Sequence, residues 1–233
     1  MPPIRLADFA SVVFFVGAGM SAECGVPTYR GRGGIWEQYD YTEYACERAF
    51  RRDAQKVLDF HELRRKAVSD CAPHAGHHAL AKLQAAHAGV QVVTQNIDGM
   101  LQRAGVRVAA ELHGSLWRLR CARHGIREDL AASGYATRAC PDCGAALRPD
   151  ITWFEDAVDE EVFTQAGDLI RHCALFVSIG TSAVVYPAAG FIPLAQRGGA
   201  LMVEINPEAT EASALFMHTL REPASVALAR QFE

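Results

Sequence analysis

A short apolar run that stops at two closely spaced glycines is the feature that most constrains this chain. Residues 11–16 are almost all apolar, and Gly17-Ala18-Gly19 follows directly. Such a run is typical of a buried parallel strand that turns into a phosphate-binding loop. With Ala22 the turn completes the pattern G-x-G-x-x-[GA], which is typical of a dinucleotide-binding strand, turn and helix. The chain is therefore predicted to be an α/β protein with a Rossmann-type parallel sheet.

The residues after this turn predict a short helix and then a second loop. Gly25-Val26-Pro27 would end any helix soon after the glycines, whereas an ordinary dehydrogenase helix would continue. The loop that follows carries an aromatic ring, Tyr29, and a guanidinium, Arg30, toward the same site.

Other predicted strands end in polar residues. Segment 89–94 runs into Gln95-Asn96-Ile97-Asp98, and the strand predicted over residues 108–116 carries His113. A structural turn would need Asn or Asp with Gly, but not this set of side chains. Ligands bind at the carboxyl ends of the strands in open parallel sheets. We therefore expect these side chains to belong to one binding site.

Two later strands have the same form. Segment 174–179 ends at the small residues Gly180-Thr181-Ser182, and segment 199–205 is followed by Asn206. Residues 44–67 are charged, have a helical pattern and show no strand signal, so segment 33–72 is predicted to be a helical insertion.

Composition limits the class of protein. A length of 233 residues suits one sizeable domain, alone or with a small satellite. The net charge is −4 and no apolar run is long enough to span a bilayer, so we expect no nucleic-acid or membrane partner. The first ten residues do not resemble a secretory signal, and the seven cysteines do not resemble a disulfide framework. We therefore expect a cytoplasmic location.

Six segments of the chain, in the same order, resemble the motifs of the sirtuin family. The glycine turn and its continuation resemble G-A-G-x-S-x-x-x-G-I-P-x-F-R, with departures at Val26 and Tyr29. The others are T-Q-N-I-D at 94–98, H-G at 113–114, one cysteine motif made of two turns, L-R-P-x-V-V-W-F-G-E near 147–155, and the late strand that ends at Asn206. Glu155 stands where the family has Gly. The resemblance covers nearly the whole chain and is closest to the class III, bacterial-type branch.

The resemblance implies a two-domain fold. The family's inverted Rossmann-type domain would be formed by residues 1–32, 73–117 and 149–233. A small second domain would combine the helical insertion, 33–72, with a zinc-binding module, 118–148. Cofactor and peptide would meet in the cleft between the two domains.

The resemblance also implies an activity, the removal of acetyl and other acyl groups from protein lysine with NAD as co-substrate. Free lysine, nicotinamide and O-acyl-ADP-ribose would be released. His113 would be the general base, and Asn96 and Asp98 would hold the nicotinamide and its ribose in the reactive pose. The implied NAD contacts are Gly17, Ala18, Gly19, Ser21, Tyr29, Arg30, Gln95, Asn96, Asp98, Gly180, Thr181, Ser182 and Asn206. Ile151, Trp153 and Phe154 would lie along the acylated peptide, which pairs as an added strand.

Two paired turns predict one structural zinc ion. Cys140-Pro141-Asp142-Cys143 is typical of half of a zinc knuckle. Cys121 and His124 stand where zinc-binding sirtuins have C-x-x-C, which gives a Cys3His set. The alternative is that the metal has been lost and packing holds the loop. Three other histidines, at positions 74, 77 and 78, are interpreted as structural.

The acyl preference depends on two residues of the helical insertion. Sirtuins that remove succinyl and malonyl groups carry Tyr-x-x-Arg there, and this chain has His61 and Arg64 at those positions. Their spacing places both on one helix face. Arg64 could bind an acyl carboxylate, and protonated His61 would make that binding sensitive to pH. The alternative is a solvated helix face.

Two other functions remain open at this point. One is an NAD-dependent protein ADP-ribosyltransferase, which shares the bond cleavage but passes ADP-ribose to a side chain. The other is a non-catalytic NAD sensor. The presence of His113 argues against a sensor, because binding alone requires no base.

Overall fold

The structure, a computed structural model, describes residues 2–30 and 33–232; Met1, Gly31, Arg32 and Glu233 lie outside the described residues. Its strands are β1 (Val12–Val16), β2 (Val90–Thr94), β3 (Ala110–Glu111), β4 (Gly114–Cys121), β5 (Gly125–Glu128), β6 (Arg148–Ile151), β7 (Leu175–Ile179), β8 (Leu201–Ile205) and β9 (His218–Leu220). Its α-helices are α1 (Gly19–Ala22), α2 (Ile35–Gln38), α3 (Tyr41–Tyr44), α4 (Glu47–Arg52), α5 (Ala54–Ser69), α6 (Ala75–Ala86), α7 (Met100–Arg103), α8 (Glu160–Arg171), α9 (Phe191–Arg197) and α10 (Ala224–Gln231). Short 3-10 helices cover Leu6–Asp8, Ala188–Gly190 and Ser213–Leu215.

The described residues form a six-stranded sheet in the order β3-β2-β1-β7-β8-β9. Every neighbouring pair in it is parallel. Two strands lie on one side of β1 and three on the other, which is the doubly wound Rossmann order. The strand order reverses between β1 and β7, and a crevice is expected there at the carboxyl ends of the strands. The α/β fold with a Rossmann-type sheet is confirmed.

The apolar run of β1 is continuous because both of its faces are buried. Phe14 packs in a cluster with residues of α6 and α10, whereas Phe15 packs in a cluster with residues of α8 and α9. Successive side chains of a strand point to opposite faces, so a strand between two helical layers must be apolar throughout. This packing fixes the loop after Val16 at the centre of the sheet edge.

A second sheet of three strands, in the order β5-β4-β6, is antiparallel. The sequence predicted one strand over residues 108–116; the structure instead divides it into β3 and β4, which belong to different sheets. Gly114 lies at the division with φ of +75°, and a Cβ there would lie 2.0 Å from the carbonyl oxygen of Asp150. The small sheet therefore also extends across the domain boundaries predicted at 117 and 149.

Arg65 of α5 connects the helical insertion to this second sheet. Its side chain is fully buried and donates hydrogen bonds to the carbonyl oxygen of Leu116, at 2.9 Å, and to the carboxylate of Asp129, at 2.8 Å. The guanidinium carbon lies 4.8 Å from the ring centroid of Trp117 and 4.5 Å from that of Tyr135. A buried charge is tolerated only when it is paired and hydrogen-bonded, and these contacts meet that requirement.

The described helices are all too short or too polar to cross a membrane.

Candidate functional site

The loops after β1 and β7 touch each other at the strand-order reversal. A Cβ on Gly17 would lie 2.7 Å from the carbonyl oxygen of Gly180, and one on Gly19 would lie 2.8 Å from the Cα of Gly180. The amides of Gly17 and Gly19 donate to the carbonyls of Ile179 and Gly180, both at 2.8 Å. The glycines are therefore needed for contact between two loops, in addition to the tight turn and phosphate approach that the sequence predicted. Ala18 is the N-cap residue of the four-residue helix α1.

Asn96 is hydrogen-bonded to the glycine turn that follows β1. Its amide nitrogen donates to the carbonyl oxygen of Gly17 at 3.1 Å and to Ser21 Oγ at 3.4 Å. Ser21 and Asn96 are both buried. The end of β2 and the turn after β1 are thus joined by side-chain hydrogen bonds, which hold the loop geometry in place.

Asp98 is a buried carboxyl beside this loop. Desolvation raises the pKa of Asp98, opposed by a hydrogen bond from the amide of Met100 at 2.8 Å and by the positive charge of Arg64. The indole nitrogen of Trp117 donates to the backbone carbonyl of Asp98 at 2.7 Å. Asp98 is therefore held rigidly, in an environment where its charged form is less favoured than in water.

The ends of β2, β7 and β8 are joined at the same edge. Gln95 Nε2 donates to Thr181 Oγ1 at 3.0 Å, and Asn206 Nδ2 donates to the carbonyl oxygen of Thr181 at 3.1 Å. Ser182 follows as an exposed residue. The structure thus brings together the polar strand ends that the sequence placed at one site.

His113 lies just after β3, beside Gln95. Its Nδ1 is 2.9 Å from the carbonyl oxygen of Gln95. Because a carbonyl oxygen only accepts, Nδ1 carries the proton and Nε2 carries the free lone pair. Burial lowers the pKa of His113, with a smaller lowering from the charge of Arg30. The imidazole is therefore neutral near pH 7 and able to accept a proton at Nε2.

The loop that carries Tyr29 and Arg30 packs on the small domain. The Tyr29 ring lies 5.6 Å from that of Trp36, and the guanidinium carbon of Arg30 lies 5.6 Å from the Phe154 ring centroid. Burial raises the pKa of Tyr29, so its phenol stays protonated. The loop therefore reaches from the glycine turn to the segment predicted to bind peptide.

That segment begins at a sheet edge. Ile151 ends β6, which pairs with β4 alone among the described strands. The amide of Thr152 donates to the carbonyl oxygen of His113 at 3.0 Å. Trp153 is buried and Phe154 half-buried. The segment is therefore fixed against the loop that carries His113, and an edge strand is a site where an extended peptide can add.

Arg64 of α5 is buried against the loop that carries Tyr29 and Arg30. Its guanidinium carbon lies 5.5 Å from the centroid of the Tyr29 ring. Within residues 2–30 and 33–232 its Nε has no hydrogen-bond partner and its side chain forms no salt bridge, although its charge acts on the nearby carboxyl of Asp98. A solvated helix face is therefore excluded for Arg64. A buried guanidinium that forms no salt bridge is suited to an anionic ligand.

His61 does not behave as the sequence predicted. It is buried, its Nδ1 is 2.8 Å from the carbonyl oxygen of Val57, and its Nε2 accepts from the indole nitrogen of Trp153 at 3.2 Å. Both ring nitrogens are thus occupied, and none is free to donate to a substrate. Desolvation lowers the pKa of His61 to about 4. The interpretation of His61 as a pH-sensitive acyl ligand is contradicted by these contacts.

The four predicted zinc ligands lie together in the small domain. Ligand atoms of Cys121, His124, Cys140 and Cys143 all lie within 4.8 Å of one another. His124 Nδ1 is 3.6 Å from Cys121 Sγ and 3.4 Å from Cys140 Sγ, and the Sγ atoms of Cys121 and Cys143 are 3.7 Å apart. Tetrahedral zinc with ordinary bond lengths requires separations of about 3.5 Å for S and N and about 3.8 Å for two sulfurs. The donor set and its spacing therefore fit zinc.

Two residues that support the site, Arg65 and Trp117, are not among those that the sequence motifs predict. The spacing of Val57, His61, Arg65 and Val68 on α5 places position 65 on the buried face, which is the signal that could have identified it. Trp117 carries no comparable local signal.

The fold and the joined strand ends define a Rossmann-type nucleotide-binding protein with a small second module. The family model described as the Sir2 family matches residues 17–187. The chain belongs to the Sir2 family, and the predicted resemblance to the sirtuins is confirmed.

Relatives in bacteria and archaea carry matching names. The chain is 43% identical over 204 residues to "NAD-dependent protein deacylase 2" of Pyrobaculum aerophilum, which covers 87% of this chain and 82% of the relative. It is 42% identical over 219 residues to "NAD-dependent protein deacylase" of Mycolicibacterium paratuberculosis, which covers 91% and 92%.

Solved structures show the same fold. A "Sir2 homolog-NAD complex" superposes with a TM-score of 0.87 at 33% identity, covering 96% of this chain and 88% of the other. A "Sir2-p53 peptide-NAD+" structure superposes with a TM-score of 0.82 at 25% identity, covering 97% and 93%.

Proposed function

We propose that the protein is an NAD-dependent protein-lysine deacylase. The observation that carries this proposal is the orientation of His113, whose Nδ1 is bound to the Gln95 carbonyl so that Nε2 remains a free base. Relatives at up to 43% identity are named NAD-dependent protein deacylases, and solved relatives bind NAD and a peptide. Binding alone requires no base, so the neutral and oriented imidazole of His113 favours a catalytic protein over a binding module.

The reaction uses NAD as a substrate that supplies an electrophilic ribose carbon when nicotinamide leaves. The carbonyl oxygen of the acyl-lysine attacks that carbon. His113 then removes a proton from a ribose hydroxyl through Nε2, and its Nδ1 proton stays bound to the Gln95 carbonyl and stabilises the resulting imidazolium. The deprotonated hydroxyl adds to the acyl carbon, and the bond from that carbon to the lysine nitrogen breaks as one water molecule is consumed. Free lysine, nicotinamide and O-acyl-ADP-ribose are the products.

The other polar residues position the two substrates. Asn96 and Asp98, buried at the end of β2, hold the nicotinamide ribose, and the Gly17-Ala18-Gly19 turn lies against the phosphates. Gly180-Thr181-Ser182 and Asn206 contact the adenosine side. Exclusion of water from this buried set strengthens each polar contact.

Mass spectrometry separates this proposal from its rivals. Incubation with NAD and acetyl- or succinyl-lysine peptides should remove the acyl mass from the peptide and produce O-acyl-ADP-ribose. Addition of ADP-ribose to a protein side chain would instead favour the ADP-ribosyltransferase alternative. Intact NAD together with unchanged peptide would favour the sensor. A reaction without NAD is the control.

We propose that Cys121, His124, Cys140 and Cys143 hold one structural zinc ion, with no position left open for catalysis. Dialysed protein from zinc-replete medium is expected to contain about one zinc per chain by elemental analysis. Cys143→Ser should lower that content. A metal-free wild-type protein would contradict the proposal, and full zinc content in His124→Ala would remove only His124 from the ligand set.

The contacts of His61 predict an acyl preference that does not depend on its protonation. A pKa near 4 keeps the ring neutral throughout the range from about pH 8 to about pH 6, so no charge appears there. The ratio of kcat/KM for succinyl and acetyl peptides should therefore follow the same pH trend in wild-type protein and in His61→Tyr. A ratio that rises on acidification only in the wild type would restore the pH-sensing role.

A further inference from the structure

A second group of metal-ligating side chains lies outside the small domain. Ligand atoms of Cys24, His74 and His77 all lie within 4.8 Å of one another. Cys24 follows α1, His74 is the N-cap residue of α6, and His77 lies in the first turn of α6. His77 Nδ1 is 3.9 Å from Cys24 Sγ, and the two imidazole centroids are 4.2 Å apart. His78 is exposed, and it is not a member of the group.

We propose that Cys24, His74 and His77 form a second, exchangeable metal site that takes Zn²⁺ or an ion of similar preference. One thiolate and two imidazoles are a donor set that suits zinc, with a fourth position left for water or a carboxylate. Tetrahedral zinc requires about 3.5 Å between such S and N atoms. The observed 3.9 Å between Cys24 Sγ and His77 Nδ1 therefore requires a movement of only a few tenths of an ångström.

The present hydrogen bonds of His77 leave it open to a metal. The side chain is fully buried, and its Nε2 has no hydrogen-bond partner in the described part of the chain. Among the described residues its Nδ1 has only two long contacts, one from the amide of His74 at 3.3 Å and one with the thiol of Cys24 at 3.9 Å. A lone pair that makes only long hydrogen bonds is available to a cation, because metal binding at Nδ1 breaks no short contact.

The bonds of His74 explain why the site should be exchangeable. Its Nδ1 caps α6 by accepting from the amide of Gly76 at 2.9 Å, and its Nε2 donates to the carbonyl oxygen of Met20 at 2.7 Å. A metal on Nε2 must displace the bond to Met20. Glu23 Oε1 already lies 3.9 Å from that nitrogen and can serve as the fourth ligand. Binding therefore competes with an existing contact and is expected to be weaker than at the Cys3His group.

The displaced contact gives metal binding a consequence. Met20 belongs to α1, which joins the glycine turn to the loop of Tyr29 and Arg30. Loss of the His74 bond removes a constraint on α1, so an occupied site should weaken NAD binding. This consequence rests on the proposed function, whereas the metal site itself does not.

Cobalt titration tests the site directly. Zinc-loaded protein, dialysed free of loosely bound metal, is titrated with CoCl₂ while thiolate-to-cobalt absorption is recorded and bound cobalt and zinc are counted by elemental analysis. Wild-type protein should bind one further equivalent with a thiolate band, and zinc content should not fall. Cys24→Ser and Cys24→Ala should lose both the band and the equivalent.

Cys71→Ser is the matched control, because Cys71 is a nearby half-buried thiol outside the group, bonded to the Ala67 carbonyl. It should bind cobalt as the wild type does. The proposal is overturned if the wild type binds no further equivalent, or if both Cys24 variants bind it unchanged. The KM for NAD should rise with added metal in the wild type and not in Cys24→Ser. Cobalt binding in a protein without deacylase activity would uphold the metal site and reject the proposed function.

Discussion

Replacement of His113 with alanine is expected to lower kcat/KM for deacylation by at least about 10²-fold. The Nε2 lone pair that the hydrogen bond to Gln95 keeps free is lost in this variant. The affinity for NAD should change little, because the glycine turn and Asn96 do not depend on His113. Steady-state kinetics with an acetyl peptide and calorimetric NAD titration measure the two effects separately.

His172→Ala is a matched control for this variant. His172 also donates from Nδ1 to a carbonyl oxygen, that of Asp168 at 2.8 Å, but it is exposed at the end of α8. Its loss should leave deacylation unchanged. Near-normal turnover in a folded His113→Ala protein would remove the assignment of the general base.

The pKa of His113 adds a pH signature to the same prediction. The neutral imidazole is the active form, so kcat/KM should fall as the pH drops through the pKa. Burial and Arg30 lower that pKa, which places the acid limb below the ordinary histidine value of about 6.5. Arg30→Met removes one lowering charge and should move the limb toward higher pH. An unmoved limb would show that burial alone sets it.

Arg64→Met is expected to lower desuccinylation by roughly ten- to a hundredfold more than deacetylation. A charge-assisted hydrogen bond between a guanidinium and an acyl carboxylate in a desolvated pocket contributes about 1.5–3 kcal/mol. Arg64 is buried beside Tyr29 without a carboxylate partner among the described residues. An acetyl group has no carboxylate to lose. The measurement is kcat/KM for matched succinyl and acetyl peptides.

Lys66→Met provides the matched control, because it removes one positive charge from the exposed face of the same helix. It should change both activities equally and slightly. Arg64→Lys should recover only part of the preference, since an ammonium cannot form the two-pronged contact of a guanidinium. Equal loss of both activities in Arg64→Met would identify Arg64 as a structural residue and the protein as a plain deacetylase.

The large sheet could be predicted because its strands carry their own signal. β1, β2, β7 and β8 are apolar runs that end at glycines or polar residues, so both their burial within a parallel sheet and the edge expected to bind a ligand can be inferred. The same signal predicts that Gln95, Thr181 and Asn206 lie at one edge of the sheet, and hydrogen bonds join them there.

The features that could not be predicted depend on partners distant in sequence. The division at Gly114 is imposed by the backbone of Asp150, and the occupancy of His61 by the indole of Trp153. Local spacing places a side chain on a helix face, but it does not reveal which group of another element packs against that side chain. His61 and Arg64 share a face of α5 and meet different neighbours: His61 is hydrogen-bonded to Trp153, whereas the Nε of Arg64 has no partner among the described residues.

The buried position of Arg65 has a consequence for the order of events during synthesis. Its hydrogen-bond acceptors at Leu116 and Asp129 follow it by 51 and 64 residues. Until Leu116 and Asp129 have been synthesised, the Arg65 guanidinium on the apolar face of α5 lacks these two hydrogen-bond acceptors. Contacts of such long range form late, because the intervening chain must first be closed into a loop. We therefore expect the helical insertion and the segment 118–148 to fold together as one late cooperative unit.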